Sequence, residues 1–322
     1  MPIGASAYRQ GEGKNALNCV SAAGLFATLL FLSAAPIVAP FLGRILPILQ
    51  PHFHWMLWSV ILFLLLSEWH AGHPFAPSGW RRTLDAAGPT FAALATFTLS
   101  GLLGLLLWNR PFLPPAKAGL SLLPVFIGLF SLPSILLALR ASSPLIEQKA
   151  ATPLPLKPWL QGTLSGTAGG FLALLLPALS GGVGSWMAQQ TVAASNRRSF
   201  LAAQGAARSV YYGGALMLFG LPESGILRGG TAWNLLPYVP RALPGLPLLV
   251  SCAWMIGTGI AFLLLGPVGT FLMCRIRTLQ IRRSLLWLSL AGLITLTAGT
   301  TGWRGLTLML LSTVLGFLPI LF

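Results

Sequence analysis

The chain has 322 residues, of which 55% are hydrophobic and only 8% charged, and its mean hydropathy is +0.78. A soluble domain carries about 25% charged residues, so these proportions exclude a water-exposed globule and point to an all-α, polytopic integral membrane protein. The net charge of +15 comes from 20 Lys and Arg against 5 acids; the bases stand singly or in pairs between apolar stretches, as the positive-inside rule requires, and no basic stripe with interleaved aromatics marks a nucleic-acid surface.

A span needs roughly 20 apolar residues. The polar N-terminal segment, residues 1–16, carries Arg9 and Lys14 and reads as cytoplasmic. The apolar stretch after it is too long for a signal peptide and has no clear cleavage site, so it is the first span. Apolar runs follow at 17–43, 52–69, 89–108, 118–139, 160–189, 201–221, 244–273, 284–302 and 305–322. Residues 17–139 therefore hold membrane helices 1–4, 140–159 form a Pro-rich cytoplasmic loop, and 160–322 hold a hairpin and helices 5–8. Cys19, Cys252 and Cys274 are far apart and read as small apolar residues.

The run 160–189 differs from the others. Gly162, Gly166 and Gly170 recur every four residues and make one smooth helix face, which lets a neighbouring helix approach closely. Pro177 and the glycines Gly181, Gly182 and Gly184 then interrupt the helix. Broken backbone at membrane depth survives only where protein or water covers it, and transporters bind substrate at such breaks. Charge supports a re-entrant hairpin here. With the N-terminus inside, the outer side holds Arg44, Arg110, Lys117, Arg228, Arg241 and Arg304, and every other base except Arg208 lies inside. If the run crossed once, the cluster from Arg275 to Arg283 would face outward, against the rule. The expectation is about eight transmembrane helices plus one re-entrant hairpin; the alternative is a plain ninth span with a glycine packing face.

Enzyme motifs are scarce. The acids Glu12, Glu68, Asp85, Glu147 and Glu223 fall in loops or at span ends, and no two share a predicted site for acid/base work. Intramembrane carboxylates of the kind proton-coupled carriers keep are not evident. His70 and His73 near Glu68 could hold a metal, or simply sit at the interface with His52 and His54. Neither a metal nor a cofactor is expected. Arg208 is the strong charge within a span. It either snorkels to the headgroups or faces the hairpin and holds an anion. The second half of the hairpin begins near Ser180 to Ser185, and free N–H groups at a helix start bind carboxylate or phosphate. Tyr211 and Tyr212, with Gly213 and Gly214, follow one turn later and would line the same groove or pack as ordinary helix. The candidate substrate site is thus Pro177, Ser180, Gly181, Gly182, Gly184, Ser185, Arg208, Tyr211 and Tyr212.

The chain resembles the large permease subunit of tripartite tricarboxylate transporters, especially archaeal-type relatives. The likeness rests on Leu46 to Trp69, on Ser100-Gly101-Leu-Leu-Gly104, on Leu123-Pro124-Val-Phe-Ile-Gly128-Leu-Phe-Ser-Leu-Pro133, on Gly166-x-x-x-Gly170 up to Pro177, on Ser224-Gly225, and on Arg304 to Phe322. Departures stand beside it: Pro177 is followed by Ala178, the third glycine of the hairpin motif falls on Leu174, and the family's polar stretch falls on Gly205-Ala-Ala-Arg208. The family's first hairpin repeat has no counterpart here. The resemblance implies a permease of the cytoplasmic (inner) membrane that carries a small organic anion. It also implies a periplasmic binding protein and a small membrane subunit, or a second copy, as partners. Pro177-Ala-Leu-Ser180-Gly181-Gly182 also resembles a segment of polyprenyl-phosphate translocases, which leaves lipid-phosphate flipping as an alternative. A non-transporting scaffold subunit is a third.

Overall fold

In hydrocarbon a chain segment must satisfy its own backbone, and a helix does so locally. The computed structural model of this chain is helical, with no strand among the described residues. It describes residues 3–67, 80–109, 113, 120–140, 147–150, 152–176, 179–192, 196–221, 227–241, 243–275 and 279–321. In chain order the helices are α1 (Ile3–Arg9), α2 (Gly13–Leu49), α3 (Phe53–Ser67), α4 (Trp80–Asn109), α5 (Leu122–Phe126) and α6 (Leu132–Arg140), followed by α7 (Leu156–Leu175), α8 (Gly181–Val192), α9 (Arg197–Phe219), α10 (Gly229–Leu235), α11 (Leu246–Arg275) and α12 (Leu279–Leu321). They fall into two compact units, Met1–Trp58 with Leu145–Arg275, and Ser59–Pro144 with Ile276–Phe322.

In the first unit α9 is central. Ala202, Ala203, Ala206, Ala207 and Val210 are fully buried, and α7, α2, α8 and α11 pack around them. The glycine row explains why α7 fits so closely. Gly162, Gly166 and Gly170 face Ser199, Ala203 and Ala207 in turn, and a Cβ on any of the three would stand closer than 3.0 Å to the α9 carbonyl. The glycine Cα–H groups therefore lie against carbonyl oxygens, contacts worth about 0.5–1 kcal/mol each. Both series ascend together, so α7 and α9 run parallel.

The helix between them must return. Gly184 of α8 meets Gly169 and Ala173 of α7, while Ala188 meets Gly169, a descending register that makes α8 antiparallel to α7. Its 12 residues extend about 18 Å at 1.5 Å per residue, well short of a bilayer core of about 30 Å. α2 runs parallel to α9: the Cys19 thiol donates to the Arg198 carbonyl at 3.3 Å, and Phe31 reaches Gly214. α11 runs the other way, with Trp254 against Gly213 and Pro247 against Gly220. The starts of α2, α7 and α9 and the end of α11 consequently share one end of the unit, where Lys14, Lys157, Arg197, Arg198 and Arg275 stand. At that end Arg197 also donates to Gln10 and Ser6, tying α1 to α9.

In the second unit, Pro133 cannot donate to the Leu129 carbonyl, and the helix widens to a π turn over Ile127–Ser131 between α5 and α6. Gly128 and Gly316 let this segment pack on the C-terminal half of α12. The runs expected at 284–302 and 305–322 are two helical segments of α12 that meet at a kink at Gly302, where φ is 70° and ψ −163°. Thr297 and Thr301 before the bend and Ser312 and Thr313 after it are buried, and each hydroxyl donates to the carbonyl four residues earlier. By contrast, the runs expected at 17–43 and 52–69 form one helical stretch, Gly13–Ser67, through α2, a short 3₁₀ turn and α3.

Among the described residues five stretches are long and apolar enough to cross a membrane: Gly13–Ser67, Ala87–Leu107, Leu122–Arg140, Leu246–Met273 and Arg282–Ile320. None of the most apolar window of Ala87–Leu107 is buried by the protein, and Phe91, Leu102, Leu105 and Leu106 are exposed. Such a surface has no place in water and suits lipid. α7 and α9 fall outside these five because their faces are built of Gly, Ala, Ser and Thr for neighbours rather than for hydrocarbon.

Two substitutions test this packing. Gly166→Ala pushes a methyl into the α9 backbone and is expected to cost about 1–3 kcal/mol, whereas Gly182→Ala, with only ordinary contacts to Ser180 and Gln204, is expected to be tolerated. Reversible unfolding in detergent compares them; equal stability would contradict the α7–α9 contact. Gly302→Ala has open space around it but a backbone conformation that only glycine adopts readily, so a loss of about 1–3 kcal/mol is expected in the same assay.

Candidate functional site

The chain leaves α7 at Leu176, in extended conformation, and re-enters helix at Gly181. Pro177 lies outside the described residues. Ser180 shapes the new start: its hydroxyl accepts the Val183 N–H at 3.4 Å and its carbonyl accepts the Gly184 N–H at 3.0 Å. Gly181 is buried against α9. A Cβ there would lie 2.8 Å from the Ala207 carbonyl oxygen, 2.9 Å from the Tyr211 Cβ and 3.1 Å from the Arg208 Cα. Glycine thus lets the first turn of α8 rest directly on the α9 backbone at Arg208 and Tyr211.

Those three residues, with Ser180 and Gly182 next to them, are the part of the expected site that the fold assembles. Arg208 is exposed, Tyr211 half-buried and Tyr212 exposed, and the two tyrosine rings meet edge to face at 5.2 Å. Gly184 and Ser185 are placed differently. Gly184 is enclosed against Gly169 and Ala173 of α7. Ser185, fully buried, accepts from Gln189 Nε2 at 2.9 Å, and the same Nε2 donates to the Phe200 carbonyl at 3.4 Å. This pair ties α8 to α9. Gly213 packs on Trp254 and Gly214 on Leu174, the ordinary helix packing anticipated for them.

α9 begins at Arg197, four residues before the apolar run expected at 201. Arg208 therefore stands 11 residues along the helix (208 minus 197), about 16 Å at 1.5 Å per residue.

Sequence reasoning placed Arg228 merely among the outer charges. The fold buries it to 9% exposure. Its Nη2 donates to the Leu175 carbonyl at the end of α7, at 3.0 Å, and its guanidinium lies 5.2 Å from the Phe53 ring centre, within cation–π range. An arginine directly before the Gly229-Gly230 pair was the available signal, and nothing in the sequence tells that it folds back onto α7. The possible metal group at Glu68, His70 and His73 lies outside the described residues. Among the described residues no group of three or more His, Cys, Asp or Glu could hold a metal.

Long apolar helices around an interrupted helix pair define a multi-pass membrane protein. The sequence model of the tripartite tricarboxylate transporter TctA family matches residues 4–322. The chain belongs to that family, a family of transporters. No curated protein and no solved structure matches it.

The parallel course of α7 and α9 makes a direct prediction. In a chain freed of Cys19, Cys252 and Cys274, single cysteines at positions 157 and 196 should label from the same side of sealed vesicles with a membrane-impermeant maleimide. Labelling from opposite sides would contradict the hairpin.

Proposed function

We propose that the chain is a permease, or permease subunit, that carries a small organic anion such as a carboxylate across the cytoplasmic membrane. The observation that carries this reading is the seating of the interrupted helix start, Ser180 to Gly182, on α9 at Arg208 and Tyr211. The first N–H groups of α8 have no helical partner and carry the positive end of the helix dipole. Arg208 adds a full charge beside them. In hydrocarbon a central arginine costs roughly 2.5–3.5 kcal/mol on insertion scales. A wet, anion-binding cavity removes the difficulty.

In this reading α7 and α8 form a re-entrant hairpin beside the full spans. The end that gathers Lys14, Lys157, Arg197, Arg198 and Arg275 faces the cytoplasm, as the distribution of bases requires, and the N-terminus lies there too. The family name supports a tricarboxylate as the substrate class and partner subunits as part of the working assembly. A periplasmic binding protein and a small membrane subunit, or a second copy of the chain, would complete it.

Uptake of labelled citrate into proteoliposomes, with partner subunits supplied, tests the proposal. Arg208→Ala is expected to lower kcat/KM at least tenfold while leaving thermal stability near that of the parent, because the side chain is exposed. Uptake equal to that of the parent would remove Arg208 from the site.

A further inference from the structure

Two arginines in the first unit reach helix ends, and they are used differently. Arg241 donates from Nε to the Phe219 carbonyl at 3.2 Å and from Nη2 to those of Leu218 and Leu221 at 3.2 and 3.1 Å. It wraps the last turn of α9, as a cation at a helix C-terminus should. Arg228 makes one bond, from Nη2 to Leu175. Its Nε is buried and has no hydrogen-bond partner among the described residues. A charged donor left unmet in a buried position is costly. A capping role like that of Arg241 would use the donor, and none of the described residues takes it.

The position of that donor matters. Leu175 is the last residue of α7 before the interruption, and Arg208 and Tyr211 of α9 lie against Gly181, the first residue of α8. Arg228 thus reaches the interruption from the side of α7, while Arg208 borders it from α9. We propose that Arg228 is a second anion ligand of the interrupted-helix site: one N–H arm anchors it to α7, and the free Nε side of the guanidinium takes a carboxylate group of the substrate. This rests on the carrier reading above and narrows it. Two cationic ligands at separate points of the site suit an anion with two or more carboxylates better than a monocarboxylate. The guanidinium lies over the Phe53 ring and is anchored at Leu175, so it is placed before substrate arrives, and Lys would not reproduce its planar fork.

The test uses the purified full-length chain in lipid nanodiscs, with citrate and acetate as probes and binding followed by calorimetry. Wild type is expected to bind citrate more tightly than acetate. Arg228→Gln is expected to weaken citrate roughly ten- to hundredfold, the loss of one charge-assisted hydrogen bond, and to narrow the preference over acetate. Arg228→Lys keeps the charge and guards against misfolding; it should show near-parental thermal stability without citrate and still bind citrate at least several-fold more weakly. Citrate binding by both variants equal to that of wild type would overturn the assignment. So would recovery of citrate binding in Glu223→Gln/Arg228→Gln, since that would make Arg228 an internal charge partner. If Arg208→Ala loses citrate and the Arg228 variants do not, only this inference falls. If wild type binds neither probe, the carrier reading falls and this inference with it.

Discussion

The first unit depends on one contact, the backbone-to-backbone seam of α7 on α9. Three glycines put Cα–H groups where any side chain would collide with the carbonyls of Ser199, Ala203 and Ala207. Between hydrocarbon-soluble helices there is no hydrophobic gain from association, so close van der Waals contact and weak polar contacts must supply the attraction. A parallel seam between two helices that flank a third in sequence has a topological consequence. The third helix must bring the chain back to the starting end, and α8 does this with only 12 residues. The interruption between α7 and α8 therefore falls part-way along α9 and not at its end. The depth of the break is a result of the glycine row.

That depth decides what the charges can do. A helix start at the surface would have its N–H groups met by water. One seated at Ala207 and Arg208 has them met by protein or by whatever enters the site. The same reasoning separates the three arginines of this region. Arg241 spends its donors on the end of α9 and is structural. Arg208 is exposed on the helix against which the break is pressed. Arg228 is buried beside the break with a donor to spare. All three belong to one compact unit, so the site's geometry is set by packing within that unit, above all by small residues that leave no room for rearrangement.

Much of this was legible in the sequence, for identifiable reasons. The spacing of Gly162, Gly166 and Gly170 has a single physical meaning, a close helix approach, and the fold supplies the partner. The convergence of Gly181 with Arg208 and Tyr211 follows once a hairpin is assumed, because the hairpin lays its second leg on the next helix. Other features were invisible to hydropathy. The central helix α9 is less apolar than the lipid-facing α4 and α11, since its neighbours are other helices. The turn at residues 50–52 does not break α2 from α3, because Pro51 is accommodated in a short 3₁₀ turn flanked by helical backbone at Leu49 and Phe53. Gly302 bends α12 through a glycine conformation that composition does not reveal. Arg228 was missed because its burial is made by Phe53 and Leu175, which are distant in sequence.

The idle donor of Arg228 and the short α8 are two sides of one arrangement. A longer, continuous helix at 160–189 would have carried its own hydrogen bonds across the membrane and left nothing for a ligand. Interrupting it frees carbonyls at the end of α7 and N–H groups at the start of α8, separated by only a few residues. The carbonyls attract a cation, and the protein supplies its own in Arg228. The N–H groups attract an anion. Among the described residues no carboxylate is placed there to meet it. Among the described residues the charged side chains that border the break are cationic alone. For the proposed carrier, that leaves the anionic place to the cargo.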